Sequence, residues 1–224
     1  MERKESLLVE GRDDLHAIVS LMTQHGVDFK HRPPGVPEIK ECDNDAGVLE
    51  AIPMSAKTYD RLGIMLDADF PPANRWASVR DRLRSPPLSL VVPDNLPSDG
   101  LVIAGWRPNS LIGVWLMPDN IEPGMLEDFL GNLIPPNDLC WPYTDEVVDT
   151  AKTNGAAFGL THKSKARIHS WLAWQEPPGR PFGTAITAQL FLNNSPLALR
   201  FAHWFARVFP ESGANPPPAW CAVC

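Results

Sequence analysis

Several catalytic and membrane signatures are missing from this sequence of 224 residues. It contains no G-x-x-x-x-G-K-[ST] segment and therefore no P-loop, so any ATPase that works with it must be another chain. It also has no G-x-G-x-x-G dinucleotide fingerprint and no G-x-S-x-G nucleophile elbow. No apolar run is long enough for a membrane span or for the core of a signal peptide. We therefore expect a cytoplasmic protein with no membrane contact.

Cysteine is also scarce. The four cysteines are Cys42, Cys140, Cys221 and Cys224, too few in a chain of this length for a disulfide framework. Cys221 and Cys224 form a C-x-x-C at the C-terminus, but no second pair of ligands accompanies it. We interpret the pair as incidental tail cysteines rather than a zinc or redox site.

Net charge and composition narrow the possible classes of protein. The formal net charge of −7 argues against a nucleic-acid binder that works through its overall field. A hydrophobic content of 44% is enough for a substantial core, and 24 prolines predict stiff loops and short elements. Strand-like and helix-like segments alternate over the first two-thirds of the chain, which predicts an α/β fold with a parallel sheet and helices on both sides. We place this core at residues 1–135, a helical C-terminal extension at 136–210 and a Pro-rich tail at 211–224.

Three short apolar runs that each end in acid are the most informative feature present. The run that ends at Val9 leads into Glu10 and Asp14, and the run at 62–66 leads into Asp67 and Asp69. The run at 111–117 is followed by Asp119, with Glu127 a few residues on. Such runs, bounded by turn residues and followed by helical patterns, are typical of buried parallel strands.

If these strands are neighbours, their acids share one crevice. Adjacent strands lie roughly 4.8 Å apart, and sites in open α/β sheets form beyond the carboxyl ends of the strands. Two carboxylates about 4 Å apart repel by roughly 4 kcal/mol at an effective dielectric constant of about 20. A cation or a shared proton relieves that repulsion. The pattern therefore predicts a site for Mg²⁺ or Mn²⁺, which prefer carboxylate oxygens.

Each acidic motif also has a purely structural interpretation. Asp14 stands in the first turn of a predicted helix, where acids cap the free N–H groups. The Asp67-x-Asp69 segment fits a turn before a capped helix, and Glu127 fits the solvated face of a short helix. The joint occurrence of the three groups favours a site.

The spacing Glu10-Gly11-x-x-Asp14, followed later by Asp67-x-Asp69, resembles the Toprim domain of topoisomerases, bacterial primases and OLD-family nucleases. The region around Glu127, with Trp171 and Trp174 further on, resembles small stand-alone Toprim-like proteins. The resemblance covers about residues 5–130 and implies a Rossmann-like parallel sheet, a divalent-metal site and phosphodiester chemistry.

When the family's residue roles are transferred position by position, the resemblance implies roles for individual residues of this chain. The metal-site residues would be Glu10, Asp14, Asp67, Asp69 and Glu127. Glu10, Asp67 and Lys165 would be catalytic, with Lys165 as the positively charged residue that assists in the nuclease branch. That branch also implies an ATPase partner of the ABC/SMC type and a role in antiviral defence against phage.

The sequence departs from the topoisomerase pattern in one place. No third aspartate follows Asp69, where Phe70-Pro71-Pro72 stands instead, and only Tyr59 and Tyr143 are available as nucleophilic tyrosines. Both facts argue against strand passage.

Two basic segments are candidates for nucleic-acid contact. They supply Arg75 and Arg82 from one predicted helix, and Lys163 and Arg167 from another. Charge runs are also typical of a solvated helix face, so both interpretations stay open.

The leading hypothesis is a Mg²⁺- or Mn²⁺-dependent nuclease. One alternative is a phosphohydrolase with Asp67 as nucleophile and Asp69 as acid, although Pro71 departs from that pattern. The other is a non-catalytic subunit that binds a partner and keeps an acidic cation site. The sequence leaves open DNA or RNA as substrate, and leaves the oligomeric state open, a homo-oligomer included.

Overall fold

The strands and helices follow one another in the alternating order that the sequence predicts. The structure is a computed structural model that describes residues 4–217. The strands are β1 Glu5–Val9, β2 Glu38–Glu41, β3 Arg61–Asp67, β4 Leu101–Ala104 and β5 Leu111–Met117. The helices are α1 Arg12–Gln24, α2 Asp45–Thr58, α3 Pro72–Arg84, α4 Leu126–Gly131, α5 Cys140–Thr153, α6 Lys163–Ala173, α7 Phe182–Thr187 and α8 Pro196–Val208, with a 3₁₀ turn at Leu160–His162.

The five strands form one sheet in the order β2-β1-β3-β5-β4. β2, β1, β3 and β5 run parallel, and β4 pairs antiparallel with β5 as a hairpin. The α/β class, the helices on both sides and the helical C-terminal part are confirmed. The three acid-ended runs are neighbours, as the sequence analysis requires.

The order of connections creates a switch point between β1 and β3. From β1 the chain passes through α1 to β2 on one side, and then through α2 to β3 on the other side of β1. α1 and α2 pack on opposite faces of the sheet. In open α/β sheets such a reversal leaves a crevice beyond the carboxyl ends of the two strands, and ligands bind there.

The core divides into two layers because side chains alternate along each strand. Leu7 and Trp115 point to the layer that contains α1, α6 and α8. Leu8 and Ile64 point to the layer of α2 and α3. Trp115 packs edge-on against Phe201 of α8, with ring centroids 5.2 Å apart. Thus the C-terminal helix and the sheet share one core.

Helix α8 lies unusually close to β5. A Cβ atom added at Gly113 would stand 2.2 Å from Cγ2 of Val208, which no side chain tolerates. The indole N–H of Trp204 donates a hydrogen bond to the carbonyl of Leu101, 3.0 Å away. Glycine at position 113 is therefore a packing requirement.

Helix α2 contains a proline and is still continuous. It includes Pro53 and extends from Asp45 to Thr58. The side chain of Asn44 caps it by accepting a hydrogen bond from Gly47 N–H at 2.9 Å, and its buried face outweighs the one lost backbone bond.

The described residues also bear on the cysteines and on membrane contact. Cys42 and Cys140 are free thiols. Cys221 and Cys224 lie outside the residues that the structure describes. Among the helices of residues 4–217, none is long and apolar enough to cross a membrane.

Candidate acidic site

The first carboxylates stand at the turn from β1 into α1. Gly11 is the N-cap of α1, and its N–H donates to Oδ2 of Asp14 at 3.0 Å. The capping interpretation of Asp14 is therefore correct. The same bond holds the carboxyl group of Asp14 near Glu10. Asp14 can therefore cap the helix and also belong to the acidic site.

Glu10 and Asp67 join the two strands at the switch point. Asp67 is the last residue of β3, and its backbone N–H donates to Oε1 of Glu10 at 2.8 Å. The Oδ1 atom of Asp67 accepts a hydrogen bond from Leu126 N–H at 3.0 Å. These bonds fix both carboxyl groups to the backbone of neighbouring elements.

Glu127 contributes the most buried carboxyl group of the crevice. Its side chain is 4% exposed, and Nζ of Lys165 lies 3.5 Å from its Oε1. Its Oε2 is buried and has no hydrogen-bond partner among the described residues. An orphaned buried oxygen of this kind costs free energy unless a ligand, water or cation meets it.

The carboxyl groups of the crevice are close enough to influence one another's pKa values. Burial, followed by the charges of Glu10, Asp14 and Glu127, raises the pKa of Asp67 well above its ordinary value. Burial is also the main cause that raises the pKa of Asp14 from 3.8 to about 7 and that raises the pKa of Glu10. Buried carboxyl groups that share one field favour their protonated forms unless an opposite charge compensates them.

Asp69 borders this cluster, and after burial its charge is among those that raise the pKa of Glu10. It adopts a left-handed backbone conformation with φ of 55°. Its Oδ2 lies 2.5 Å from Nη2 of Arg75. The guanidinium also contacts Asp45 at 2.6 Å and donates from Nε to the carbonyl of Asp67 at 3.0 Å. Asp69 is therefore neutralised by an arginine rather than open to a cation.

The same contacts define what Arg75 does. Its side chain is only 11% exposed. Its bonds to Asp45, Asp69 and Asp67 leave it little surface for the nucleic-acid contact that the sequence analysis assigns to it. Asp45 belongs to α2, and neither its role nor the buried position of Arg75 is visible in local spacing.

The other predicted contacts are distributed along helix faces. Lys163 pairs with Asp149 at 2.7 Å, and Arg167 pairs with Asp145 at 2.8 Å. The Arg167 guanidinium also stacks on Trp141, 4.3 Å from the ring centroid. Arg82 donates to a carbonyl of its own helix at 3.1 Å. Arg167 nevertheless lines a small cavity together with Glu127. The contacts described for Lys163 and Arg82 are with groups outside the acidic crevice.

Lys165, the third residue of α6, does reach the crevice. Burial alone would lower the pKa of Lys165, but the charges of Glu127 and Asp67 outweigh it and raise that pKa. The side chain is 49% exposed. It is therefore a permanent positive charge at the edge of the site.

Two polar residues that the sequence analysis did not select hold this edge together. Ser164 Oγ donates to Oδ1 of Asp128 at 2.6 Å, which joins α6 to α4. Oδ2 of Asp128 caps α4 by accepting from Met125 N–H at 2.9 Å. Glu127 precedes Asp128 and Lys165 follows Ser164 in the sequence, so this hydrogen bond also brings Glu127 and Lys165 together. Only the run of acids at 127–128 gave a signal in the sequence.

Asp119 has a structural role. Its Oδ1 accepts hydrogen bonds from the N–H groups of Ile121 and Glu122 at 3.0 and 2.8 Å. It shapes the turn after β5 and does not join the cluster.

The carboxyl groups share one electrostatic field but are not arranged as a set of metal ligands. Within residues 4–217, no group of three or more His, Cys, Asp or Glu side chains is arranged to hold a metal ion as it stands. The site is thus an open acidic crevice, defined by Glu10, Asp14, Asp67 and Glu127 and bordered by Lys165.

Fold and crevice together define an α/β protein with a carboxylate cluster at the switch point of its sheet. The chain belongs to the family described as "Protein of unknown function (DUF3226)", which matches residues 4–210. No curated protein and no solved structure matches it.

Proposed function

We propose that this protein is a Mg²⁺- or Mn²⁺-dependent nuclease that hydrolyses phosphodiester bonds of nucleic acid. The observation that carries the proposal is the convergence of Glu10, Asp14, Asp67 and Glu127 at the switch point, with Oε2 of Glu127 unpartnered and buried. The resemblance to Toprim domains supports it as an analogy.

The residues present suit a hard divalent cation. All four groups offer carboxylate oxygens, the ligands that Mg²⁺ and Mn²⁺ prefer. Burial is the first cause that raises the pKa values of Glu10, Asp14 and Asp67, and the charges of neighbouring carboxylates add to it. Because like charges repel, we expect the carboxyl groups to draw closer only when a cation is present. Asp69 is not among the proposed ligands, because its carboxylate is paired with Arg75.

The bound cation would lower the pKa of a water molecule and stabilise charge on the leaving oxygen. The protein's own residues would position the ligands and neutralise charge on the phosphate. The backbone bonds to Glu10 and Asp67 hold the ligand oxygens in place. Lys165 stands where it would neutralise charge that develops on the scissile phosphate.

An ATPase partner of the ABC/SMC type and a role in phage defence remain part of this proposal. Their support is the resemblance to the OLD branch and the absence of a P-loop from the sequence.

The structure gives no support to Asp67 as the nucleophile of a phosphohydrolase. Its Oδ1 accepts a hydrogen bond from Leu126 N–H, which occupies one of the two carboxyl oxygens that would attack phosphate.

A thermal melt with and without Mn²⁺ tests the metal site. A ligand that binds only the native state stabilises it by roughly 2.7 kcal/mol at a hundredfold excess over Kd. Mn²⁺ should therefore raise the Tm of the wild type, and the combined variant Glu10→Gln, Asp14→Asn, Asp67→Asn and Glu127→Gln should show no rise. Glu122→Gln, a change to an exposed acid outside the crevice, is the control and should respond as the wild type does.

A cleavage assay with DNA and RNA then tests the activity, with and without candidate ATPases. We expect Asp67→Asn to lose cleavage by orders of magnitude and to remain folded. An equal Mn²⁺ response in the wild type and the combined variant would refute the metal site. Metal binding without cleavage of either nucleic acid would favour a non-catalytic subunit.

A further inference from the structure

Phe70 is a large aromatic side chain that the fold leaves in solvent. It is 85% exposed, more than any other aromatic residue among the described residues. It stands three positions after Asp67, at the mouth of the acidic crevice. An exposed ring beside a charged site carries a hydrophobic cost that binding would recover.

The backbone holds Phe70 from both sides. The preceding Asp69 is fixed by its ion pair with Arg75 and by its N–H, which donates to the carbonyl of Gly124 at 3.1 Å. Pro71, the N-cap of α3, follows at once. The ring is therefore presented by an anchored turn, so little conformational freedom is lost when a ligand packs on it.

A groove of about 270 Å³ lies against this ring. Its walls combine apolar surface with hydrogen-bonding groups. The apolar part comes from Phe70, Pro123 and Met125, and the polar part includes Asp128, Thr161 and Ser164. A flat ring system with apolar faces and a polar edge fits both kinds of wall.

We infer that this groove binds one unpaired nucleobase of the substrate, stacked on Phe70, and that the preferred substrate is single-stranded nucleic acid. The inference rests on the proposed function. Base stacking on an aromatic side chain is the usual way in which proteins hold single strands, and it is tolerant of sequence. A base in a duplex is already stacked and has no free face for the ring.

The position of the groove connects it to the acidic crevice. Met125 and Asp128 line the groove and belong to the start of α4. The N–H of Leu126, between them, holds the carboxyl group of Asp67. The start of α4 therefore joins the groove to the carboxylate cluster, and the inference places the phosphate next to a bound base on the side of that cluster.

A protein partner suits the groove less well. Stable protein interfaces bury about 800 Å² on each side and depend on broad apolar patches. Here a single ring borders a small groove. Asp128 in its wall already accepts hydrogen bonds from Ser164 and Met125 N–H. Asp69 and Thr161 are further polar residues that the edge of a base would meet.

The test compares binding of single-stranded and duplex oligonucleotides that contain 2-aminopurine, with Ca²⁺ in place of Mn²⁺ to limit cleavage. Phe70→Ala should weaken binding of the single strand by roughly fivefold to a hundredfold, which is the loss of one base stack. It should leave duplex binding unchanged and abolish the stacking-induced quenching of 2-aminopurine. Phe70→Trp should restore both signals. Val91→Ala removes another exposed apolar side chain, 93% exposed and outside the groove, and should have no effect.

Several outcomes would overturn this inference. Equal losses for single strand and duplex would mean a general contact, and unchanged binding by Phe70→Ala would assign the ring to a protein partner. A wild type that binds no single strand also refutes it. The Mn²⁺ melt separately decides the metal site, since Phe70 is not a proposed ligand and Phe70→Ala should keep the Mn²⁺ response.

Discussion

The pKa of Asp14 leads to a specific prediction about stability and pH. This carboxyl group titrates at 3.8 in its ordinary state and at about 7 in the folded protein, chiefly because of burial. Below pH 3.8 the group is protonated in both states and contributes nothing. Between the two values the unfolded chain releases the proton and the folded chain keeps it, so stability falls as pH rises. Above about pH 7 the loss is complete and constant.

The size of this loss of stability follows from the interval between the two pKa values of Asp14. It spans about three pH units, and each unit is worth 1.36 kcal/mol, so the upper bound is about 4 kcal/mol. Solvent screens a half-buried carboxyl group, and we expect about 2 kcal/mol. Asp14→Asn removes the titrating proton but keeps an oxygen that can accept from Gly11 N–H. The metal-free variant should therefore gain stability over the wild type as pH rises from 5 to 7.5.

Urea unfolding of the metal-free wild type, Asp14→Asn and Asp13→Asn at a series of pH values measures this difference. Asp13 stands in the same helical turn and is exposed, so Asp13→Asn should keep a constant offset from the wild type. The difference between wild type and Asp14→Asn contains the titration of Asp14 and its coupling to the other carboxyl groups of the crevice, whereas acids far from the crevice contribute equally to both. A difference that does not change with pH, or one that favours the wild type at high pH, would refute the reasoning.

Two further changes test other parts of the structure. Gly113→Ala should destabilise the protein by about 1–3 kcal/mol in urea unfolding, because the new Cβ atom meets Val208 at 2.2 Å; an unchanged midpoint would mean that α8 shifts freely. Lys165→Ala should reduce kcat by roughly a hundredfold at saturating substrate if it neutralises charge in the transition state. The double change Lys163→Ala with Arg167→Ala should mainly raise KM and weaken its salt dependence, and a normal kcat for Lys165→Ala would remove that residue from the mechanism.

The sequence predicts the position of the acidic crevice because two local signals combine. Apolar runs that end in acid predict strands, and parallel strands present their carboxyl ends at one edge of the sheet. The convergence of Glu10, Asp14 and Asp67 follows from these two facts. Glu127 was a weaker candidate, since a short helix beyond β5 has no fixed direction in the sequence.

The contacts that depend on distant residues were not predictable. Asp69 shares the spacing of a ligand but is bound to Arg75, which also contacts Asp45, 30 residues earlier. The bond from Ser164 to Asp128 spans 36 residues and places Lys165 beside Glu127. Such pairs are set by how α2, α3 and α6 pack, and periodicity along one element contains no information about them.

The edges of the sheet bear on how the protein behaves at high concentration. β2 and β4 are the two edge strands, and each has only four residues. Along β2 the exposed side chains are Glu38, Lys40 and Glu41. An edge strand offers free N–H and C=O groups to any other strand it meets, and shortness and charge both oppose that pairing. The parallel strands with long apolar runs, which would aggregate if exposed, lie inside this border. The edge strands therefore protect the sheet against edge-to-edge aggregation.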